Sequence, residues 1–214
     1  MKFQNIVWDW NGTIVNDAWI FVDVMNKILK HNNLPVITLS EYRNNFCFPI
    51  QSYWKSLGFQ FTPEKFNQLN THFISEYQKK IFLPKLHRGI FTFLNNFNKQ
   101  GLQQFILSAS ENTLLQQSVH FYKLNFLFKN VLGVNNLNAT GKKELGHLLF
   151  KQYNLKPHIT LIVGDTEYDY DVAKFLNCSV VLISHGHINH QRLLKTGAIV
   201  VKSLRELKTF LQKN

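Results

Sequence analysis

Phe3-Gln4-Asn5-Ile6-Val7-Trp8-Asp9-Trp10-Asn11-Gly12-Thr13 stands near the start of the chain, and Leu161-Ile162-Val163-Gly164-Asp165-Thr166-Glu167-Tyr168-Asp169 repeats its design far downstream. Each is a short apolar run, rich in β-branched or aromatic residues as a buried strand requires, and each ends on a carboxylate with a glycine close by. A carboxylate at the end of a buried strand adds little to packing and is costly to hold there unpaired. Two such strand-ending acidic turns in one chain place a carboxylate cluster at one edge of a sheet.

Working outward, short apolar runs alternate with amphipathic stretches, the pattern of a parallel α/β sheet. The expected strands are 3–8, 103–107, 130–134, 160–163, 180–183 and 199–201. The expected helices of the core are 87–100, 111–122, 142–153, 168–176 and 204–212, with Ser110 as an N-cap before Glu111 and Gly101 closing the helix before it. The first crossover is anomalous, since no strand is expected between Asp9 and Gln103. The intervening residues read as helices at 18–31, around 39–45, around 52–57 and at 63–81, punctuated by Pro35, Pro49, Pro63 and Pro84. A helical insertion directly behind an acidic turn has the position of a lid that excludes water and selects substrate. Within it, Phe46-Cys47-Phe48-Pro49-Ile50-Gln51-Ser52-Tyr53-Trp54 is the expected substrate-facing segment, its aromatics either shielding the reaction or packing the insertion.

The bulk properties narrow the classes. With 214 residues the chain can bury a substantial core, and its 19 Phe supply bulky filling. No apolar run is long enough to span a membrane, and Met1-Lys2-Phe3-Gln4-Asn5 has no signal-peptide profile. Cys47 and Cys178 are too few and too far apart for a disulfide framework or a metal motif, so a cytoplasmic location is expected. The net charge of +11 is spread along the chain rather than gathered into an arm. It suits solvated helix faces and steering of anionic substrates. No nucleic-acid recognition motif accompanies it, and nucleic acid is not expected as a partner. Neither is a membrane, and a monomer or weak homodimer is the expected state.

Ligands of open parallel sheets bind beyond the carboxyl ends of the strands. Four polar positions fall there in order: Asp9, Ser108, the Gly141-Lys142 turn, and Asp165 with Asp169. Carboxylates about 4 Å apart, at an effective dielectric of about 20, repel by about 4 kcal/mol per pair. They must share protons or hold a cation, and an all-oxygen site points to Mg²⁺ rather than zinc. The Ser108 hydroxyl with the backbone N–H groups of Ala109 and Ser110 reads as an anion seat, and Lys142 as its point charge. Metal, anion seat, lysine and carboxylate nucleophile together describe phosphoryl transfer through an aspartyl-phosphate. Lys143 is a rival to Lys142, which is preferred because it directly follows Gly141.

Asp9-Trp10-Asn11-Gly12-Thr13, Leu107-Ser108, Gly141-Lys142 and Gly164-Asp165-Thr166-Glu167-Tyr168-Asp169 resemble, in order, the four motifs of the haloacid dehalogenase superfamily, and the chain looks like its phosphoglycolate-phosphatase-like branch. The resemblance implies an α/β fold: a Rossmann-like three-layer core with a parallel sheet (residues 1–15 and 85–214) and an inserted small α-helical cap (16–84). It implies a Mg²⁺-dependent phosphatase acting on a small phosphorylated metabolite. Asp9 would be the nucleophile, and Asp9, the Asn11 carbonyl, Asp165 and Asp169 would hold the metal, the last directly or through water. Gly12, Ser108, Ala109 and Lys142 would meet the phosphoryl group.

One position departs from the family pattern. The resemblance implies a second aspartate, two residues beyond the nucleophile, as general acid and base; here it is Asn11. An amide cannot shuttle a proton, and losing such a group costs about 10²–10⁴ in rate. Either activity is low or restricted to good leaving groups, or another residue such as His87 or an acid of the insertion substitutes, or the protein is a non-catalytic phospholigand-binding module. A phosphonate-hydrolase-like branch is a further alternative and would need a lysine in the insertion, for which Lys55 is the candidate. His185-Gly186-His187 reads as polar filler after a strand.

Overall fold

The structure is a computed structural model that describes residues 2–213, so Met1 and Asn214, the ends of the expected core, lie outside the described residues. In chain order it contains β1 (Asn5–Trp8), a two-residue β2 (Val15–Asn16), then α1 (Ala18–His31), α2 (Leu39–Asn45), α3 (Ile50–Ser56) and α4 (Pro63–Gln78). A two-residue β3 (Lys85–Leu86) and α5 (Ile90–Lys99) lead into β4 (Gln103–Glu111), α6 (Asn112–Phe121), β5 (Asn130–Val134) and α7 (Lys142–Tyr153). The chain ends with β6 (Thr160–Gly164), α8 (Glu167–Phe175), β7 (Ser179–Ile183), α9 (His190–Leu194), β8 (Ile199–Val201) and α10 (Leu204–Lys213).

Six strands form one parallel sheet in the order β5-β4-β1-β6-β7-β8. Side chains alternate across it as a pleated strand requires. Ile6 and Trp8 join one layer with Leu94, Ile106 and Leu161, while Val7 joins the opposite layer with Phe105, Leu149, Ile162 and Val172. With helices over both faces this is the expected Rossmann-like α/β arrangement. Trp8 can be buried in it because its indole N–H finds the Gln104 side-chain oxygen at 3.1 Å. After β1 the chain builds outward through β4 and β5 on one side, then through β6, β7 and β8 on the other. The carboxyl end of β1 is therefore the point where the winding reverses, the usual place for a ligand crevice.

Helices α1–α4 pack an apolar cluster of their own around Ile20, Ile28, Trp54 and Phe73, which continues onto Leu182 and Leu193 of the sheet region. Their starts follow local chemistry. Thr38 and Glu41 form a capping box at α2, and Thr62 caps α4 with Pro63 at its first position. The chain leaves and re-enters the sheet region through the antiparallel pair β2–β3. Two-residue strands carry no periodic signal, and neither this pair nor the short α9 was expected. Ser110 is not the cap of α6. Strand β4 runs on to Glu111, whose own carboxylate accepts from the N–H groups of Thr113 and Leu114. No helix among the described residues is long and apolar enough to cross a membrane.

Candidate active site

Register assembles the site. Trp8 pairs with Ile106 of β4 and Val163 of β6, so Asp9 and Asp165 emerge from adjacent strand ends, beside Ser108 in the stretch of β4 that runs past its pairing with β1. The Asp9 N–H is tied to the Val163 carbonyl at 2.8 Å. Asp9, Asp165 and Asp169 are all buried, and one oxygen from each lies within 4.8 Å of the others. Lys142 begins α7 after Gly141, and it is this lysine, not Lys143, that reaches them. Its Nζ donates to Asp9 Oδ1 at 2.5 Å and to Asp169 Oδ1 at 2.6 Å.

The three carboxylates are not equivalent. Asp169 Oδ2 accepts from the N–H of Asp165 (3.2 Å), the N–H of Thr166 (3.0 Å) and the Thr166 hydroxyl (2.7 Å). With Oδ1 on Lys142, both its oxygens are committed to holding the turn and the lysine. Asp165 accepts from the Thr13 hydroxyl at 2.9 Å and from the His187 N–H at 2.6 Å. Burial pushes the Asp9 carboxyl up to about 8; Lys142 pulls it down, and Asp169 and Asp165 push it up again. Burial likewise lifts Asp165 to about 6, against the attraction of His187. For Lys142 burial works downward but is outweighed by Asp169 and Asp9, which hold it above the ordinary lysine range. One lysine cannot neutralise three ionised carboxylates. This all-oxygen donor set fits a hard divalent cation of the Mg²⁺ type, with Asp9, Asp165 and the Asn11 carbonyl as the candidate holders and Asp169 placed behind them.

Backbone economy makes room for the cluster. Gly12 has φ +75°, and a Cβ there would overlap the Asp165 carboxylate and the His187 ring. Gly186 has the same problem, since its Cβ would fall on the Asp165 carboxylate.

Ser108, Ala109 and Asn11 line the cavity beside Asp9. The anion seat differs from expectation, because the Ser110 N–H is taken by Ser108 Oγ at 3.1 Å. Ser110 turns its own hydroxyl onto Asn11 Oδ1 at 2.5 Å. The other end of the Asn11 amide donates to Asp17 Oδ2 at 2.5 Å and contacts the Tyr77 hydroxyl at 2.8 Å.

Asp17 was not singled out in the sequence, yet it is fully buried one hydrogen bond behind Asn11. It also accepts from the Gly12 N–H (2.8 Å) and the Tyr77 hydroxyl (2.8 Å), and pairs with His187 Nε2 (3.2 Å). The opposite ring nitrogen of His187 meets the Tyr42 hydroxyl at 2.7 Å. Burial would raise the Asp17 carboxyl, but the His187 charge and the bonds from His187, Asn11 and Tyr77 win and hold it low. His187 is held above its ordinary value because Asp17 outweighs its burial. The loop 185–187 is therefore not filler: its last residue is a buried part of the site. Asp17 occupies the N-cap position before α1 without capping it, its carboxylate turned onto Asn11, Gly12 and Tyr77 instead.

His87 does not substitute for the missing acid. It meets the Gly12 carbonyl at 2.9 Å, its ring stacks on His185 at 3.5 Å, and it does not line the cavity. Burial takes it down to about 4, so it is neutral. Lys55 is exposed and away from the cavity, which removes the candidate on which a phosphonate-hydrolase reading depended.

From the carboxylates a cavity of about 130 Å³ runs under the helical insertion. The segment 46–54 contributes Phe46, Phe48, Tyr53 and Trp54 to its wall, and α1 and α4 add Phe21, Phe73 and Tyr77. The insertion is fastened down around it. Arg192 pairs with Glu167 at 2.5 Å and donates to the carbonyls of Asn44 (3.0 Å) and Phe46 (2.7 Å). Arg43 reaches the Gly186 carbonyl at 2.8 Å, and Asn70 the Leu137 carbonyl at 2.6 Å.

The sequence pattern of haloacid dehalogenase-like hydrolases matches residues 6–183. Among solved structures, a predicted phosphatase from Clostridium acetobutylicum superposes with TM-score 0.87 at 20% identity, covering 99% of both chains. A haloacid dehalogenase-like family hydrolase from Streptococcus pneumoniae gives TM-score 0.82 at 20% identity over 98% of this chain and 99% of that one. A predicted phosphoglycolate phosphatase from Haemophilus somnus gives 0.80 at 19% identity over 99% of both. These likenesses establish the shared fold. No curated protein matches the chain.

Proposed function

The chain belongs to the haloacid dehalogenase-like hydrolases, and on that premise we propose that it is a Mg²⁺-dependent phosphatase of small phosphorylated compounds. The observation that carries this reading is Lys142 held between Asp9 and Asp169 inside the three-carboxylate cluster. Asp9 Oδ attacks phosphorus, the ester P–O bond breaks, the alcohol leaves as its alkoxide or phenoxide and takes its proton from water, and the phosphoryl group passes to the carboxylate. Water then hydrolyses the aspartyl-phosphate, releasing phosphate and restoring Asp9. Ser108 and the Ala109 N–H bind phosphoryl oxygens, and Lys142 offsets charge on the nucleophile and the phosphate. Asp169 fixes the lysine and Thr13 orients Asp165. Asp9, Asp165 and the Asn11 carbonyl would hold the cation, which would supply Lewis-acid neutralisation of charge and favour the ionised form of the buried Asp9.

In this reading residues 16–84 form a cap over a core of 1–15 and 85–214, and the fastened aromatic wall keeps bulk water from the acyl-phosphate. Asn11 cannot protonate the leaving group, so esters with good leaving groups turn over faster than alkyl esters. The test is phosphate release from para-nitrophenyl phosphate. Release that requires Mg²⁺ and stops on chelation supports the reading. Binding of phosphate esters with no release under any divalent cation points instead to a phospholigand-binding module.

A further inference from the structure

Two tyrosines of the helical insertion end on one buried pair directly behind the carboxylates. Tyr42 of α2 brings its hydroxyl to 2.7 Å from His187 Nδ1, and Tyr77 of α4 donates to Asp17 Oδ2 at 2.8 Å. His187 Nε2 and Asp17 Oδ1 join the two at 3.2 Å. All four side chains are buried. Helix α2 adds a further hold on the same loop, since Arg43 donates to the carbonyls of His185 and Gly186.

The other side of the pair faces the candidate holders of the cation. The His187 backbone N–H donates to Asp165 Oδ2 at 2.6 Å. Asp17 Oδ1 accepts from the Gly12 N–H at 2.8 Å, and Asp17 Oδ2 from the Asn11 amide at 2.5 Å. There is no slack in between. A Cβ on Gly12 would fall 2.4 Å from His187 Cδ2, and one on Gly186 would fall 2.0 Å from Asp165 Oδ2. A displacement of His187 is therefore passed to Asp165 through the His187 N–H, and one of Asp17 to the turn at 11–12. Neither residue has a spare partner. Both ring nitrogens of His187 and both oxygens of Asp17 are engaged in a buried network, where losing one tyrosine hydroxyl leaves a polar atom with no water to replace it.

We propose that His187 and Asp17 are positioning residues through which the insertion completes the metal site. With Tyr42 and Tyr77 seated on them, Asp165 and the Asn11 turn are held where a divalent cation needs them. This rests on the Mg²⁺ reading above and deepens it. Groups that orient a metal's ligands from behind are worth about 10–100-fold in metal affinity. Coupling of this kind is reciprocal, so a cation that binds better when the tyrosines are seated also holds the insertion down. The site is then complete only while the insertion covers it, which ties the reactive state to the one that excludes water.

The experiment needs no turnover. Mg²⁺ is titrated calorimetrically into the native protein, Tyr42→Phe, Tyr77→Phe and Ile28→Val, each checked for fold by circular dichroism and thermal melting. Each tyrosine variant removes one hydroxyl and keeps its ring. Ile28→Val trims the insertion's apolar cluster without touching these hydrogen bonds. Both tyrosine variants are expected to bind Mg²⁺ about tenfold more weakly, whereas Ile28→Val melts lower and keeps native affinity. Hydrogen exchange reads the coupling in reverse: Mg²⁺ slows amide exchange in α2 and α4 of the native protein, and does so less in the tyrosine variants. Native affinity in either tyrosine variant overturns the inference. So does equal weakening in Ile28→Val, or exchange in α2 and α4 that ignores Mg²⁺. If the native protein itself binds no Mg²⁺, the metal reading falls and the inference with it; native binding with unaltered tyrosine variants overturns the inference alone.

Discussion

Asn11 is held from both ends, by Ser110 on its oxygen and by Asp17 on its nitrogen, so the amide that replaces the expected acid is rigidly placed. The carboxylate missing at position 11 stands instead at position 17. Asn11→Asp alone would set two carboxyls against each other at hydrogen-bond distance, a repulsion of about 4 kcal/mol if both ionise. The exchange Asn11→Asp with Asp17→Asn keeps the hydrogen bond and moves the acid to the cavity. It is expected to raise hydrolysis of alkyl phosphates by about 10²-fold relative to para-nitrophenyl phosphate, since only the former need leaving-group protonation. Steady-state phosphate release with both ester types checks this, and an unchanged alkyl-to-aryl ratio would mean that position 11 does not handle the proton. Asp9, Lys142, Asp165 and Asp169 were legible in the sequence because each closes a strand or lies in the first turn of a helix, and Ser108 because it follows the apolar run of β4, where the fold class dictates direction. Asp17 and His187 were not. Their partnership joins residues 170 apart, and Tyr77 joins from 60 residues away.

Among the elements, strand and helix identities in the sheet region followed from hydrophobic period, and α2 begins at the capping box of Thr38 and Glu41. What periodicity could not reveal was how the insertion is fastened. Arg192 lies in the short α9, which has too few residues to show a period, yet it holds the 44–46 backbone and Glu167 together. Arg192→Ala is expected to loosen the insertion over the cavity and lower kcat/KM about tenfold, chiefly through KM, while the sheet region stays folded. Kinetics with circular dichroism checks it; unchanged KM would mean the fastening has no part in binding. Gly186→Ala is expected to weaken Mg²⁺ binding severely by displacing the Asp165 carboxylate, as read by calorimetric titration. Native affinity in that variant would show that Asp165 need not stay where it is.

On the scale of the whole molecule, the positive balance of +11 surrounds a buried acidic cluster, so anionic esters are drawn toward a site whose own charge must be neutralised before they can react. In the proposed mechanism, protons and a bound divalent cation would compete for that cluster. With Asp9 at about 8 and Asp165 at about 6, the carboxyls are protonated at low pH and freed as pH rises. Mg²⁺ affinity is therefore expected to strengthen between about pH 6 and pH 8, by up to about tenfold per pH unit for each proton displaced. Titration calorimetry across that range checks the sign, and affinity that is flat or falls with pH would contradict it. The most direct measurement is mass spectrometry of acid-quenched protein after reaction with para-nitrophenyl phosphate and Mg²⁺, run beside Asp9→Asn. The predicted result is one phosphoryl group on the peptide carrying Asp9 and neither adduct nor turnover in the variant. A phosphoryl group on another residue, or hydrolysis that survives Asp9→Asn, would contradict it.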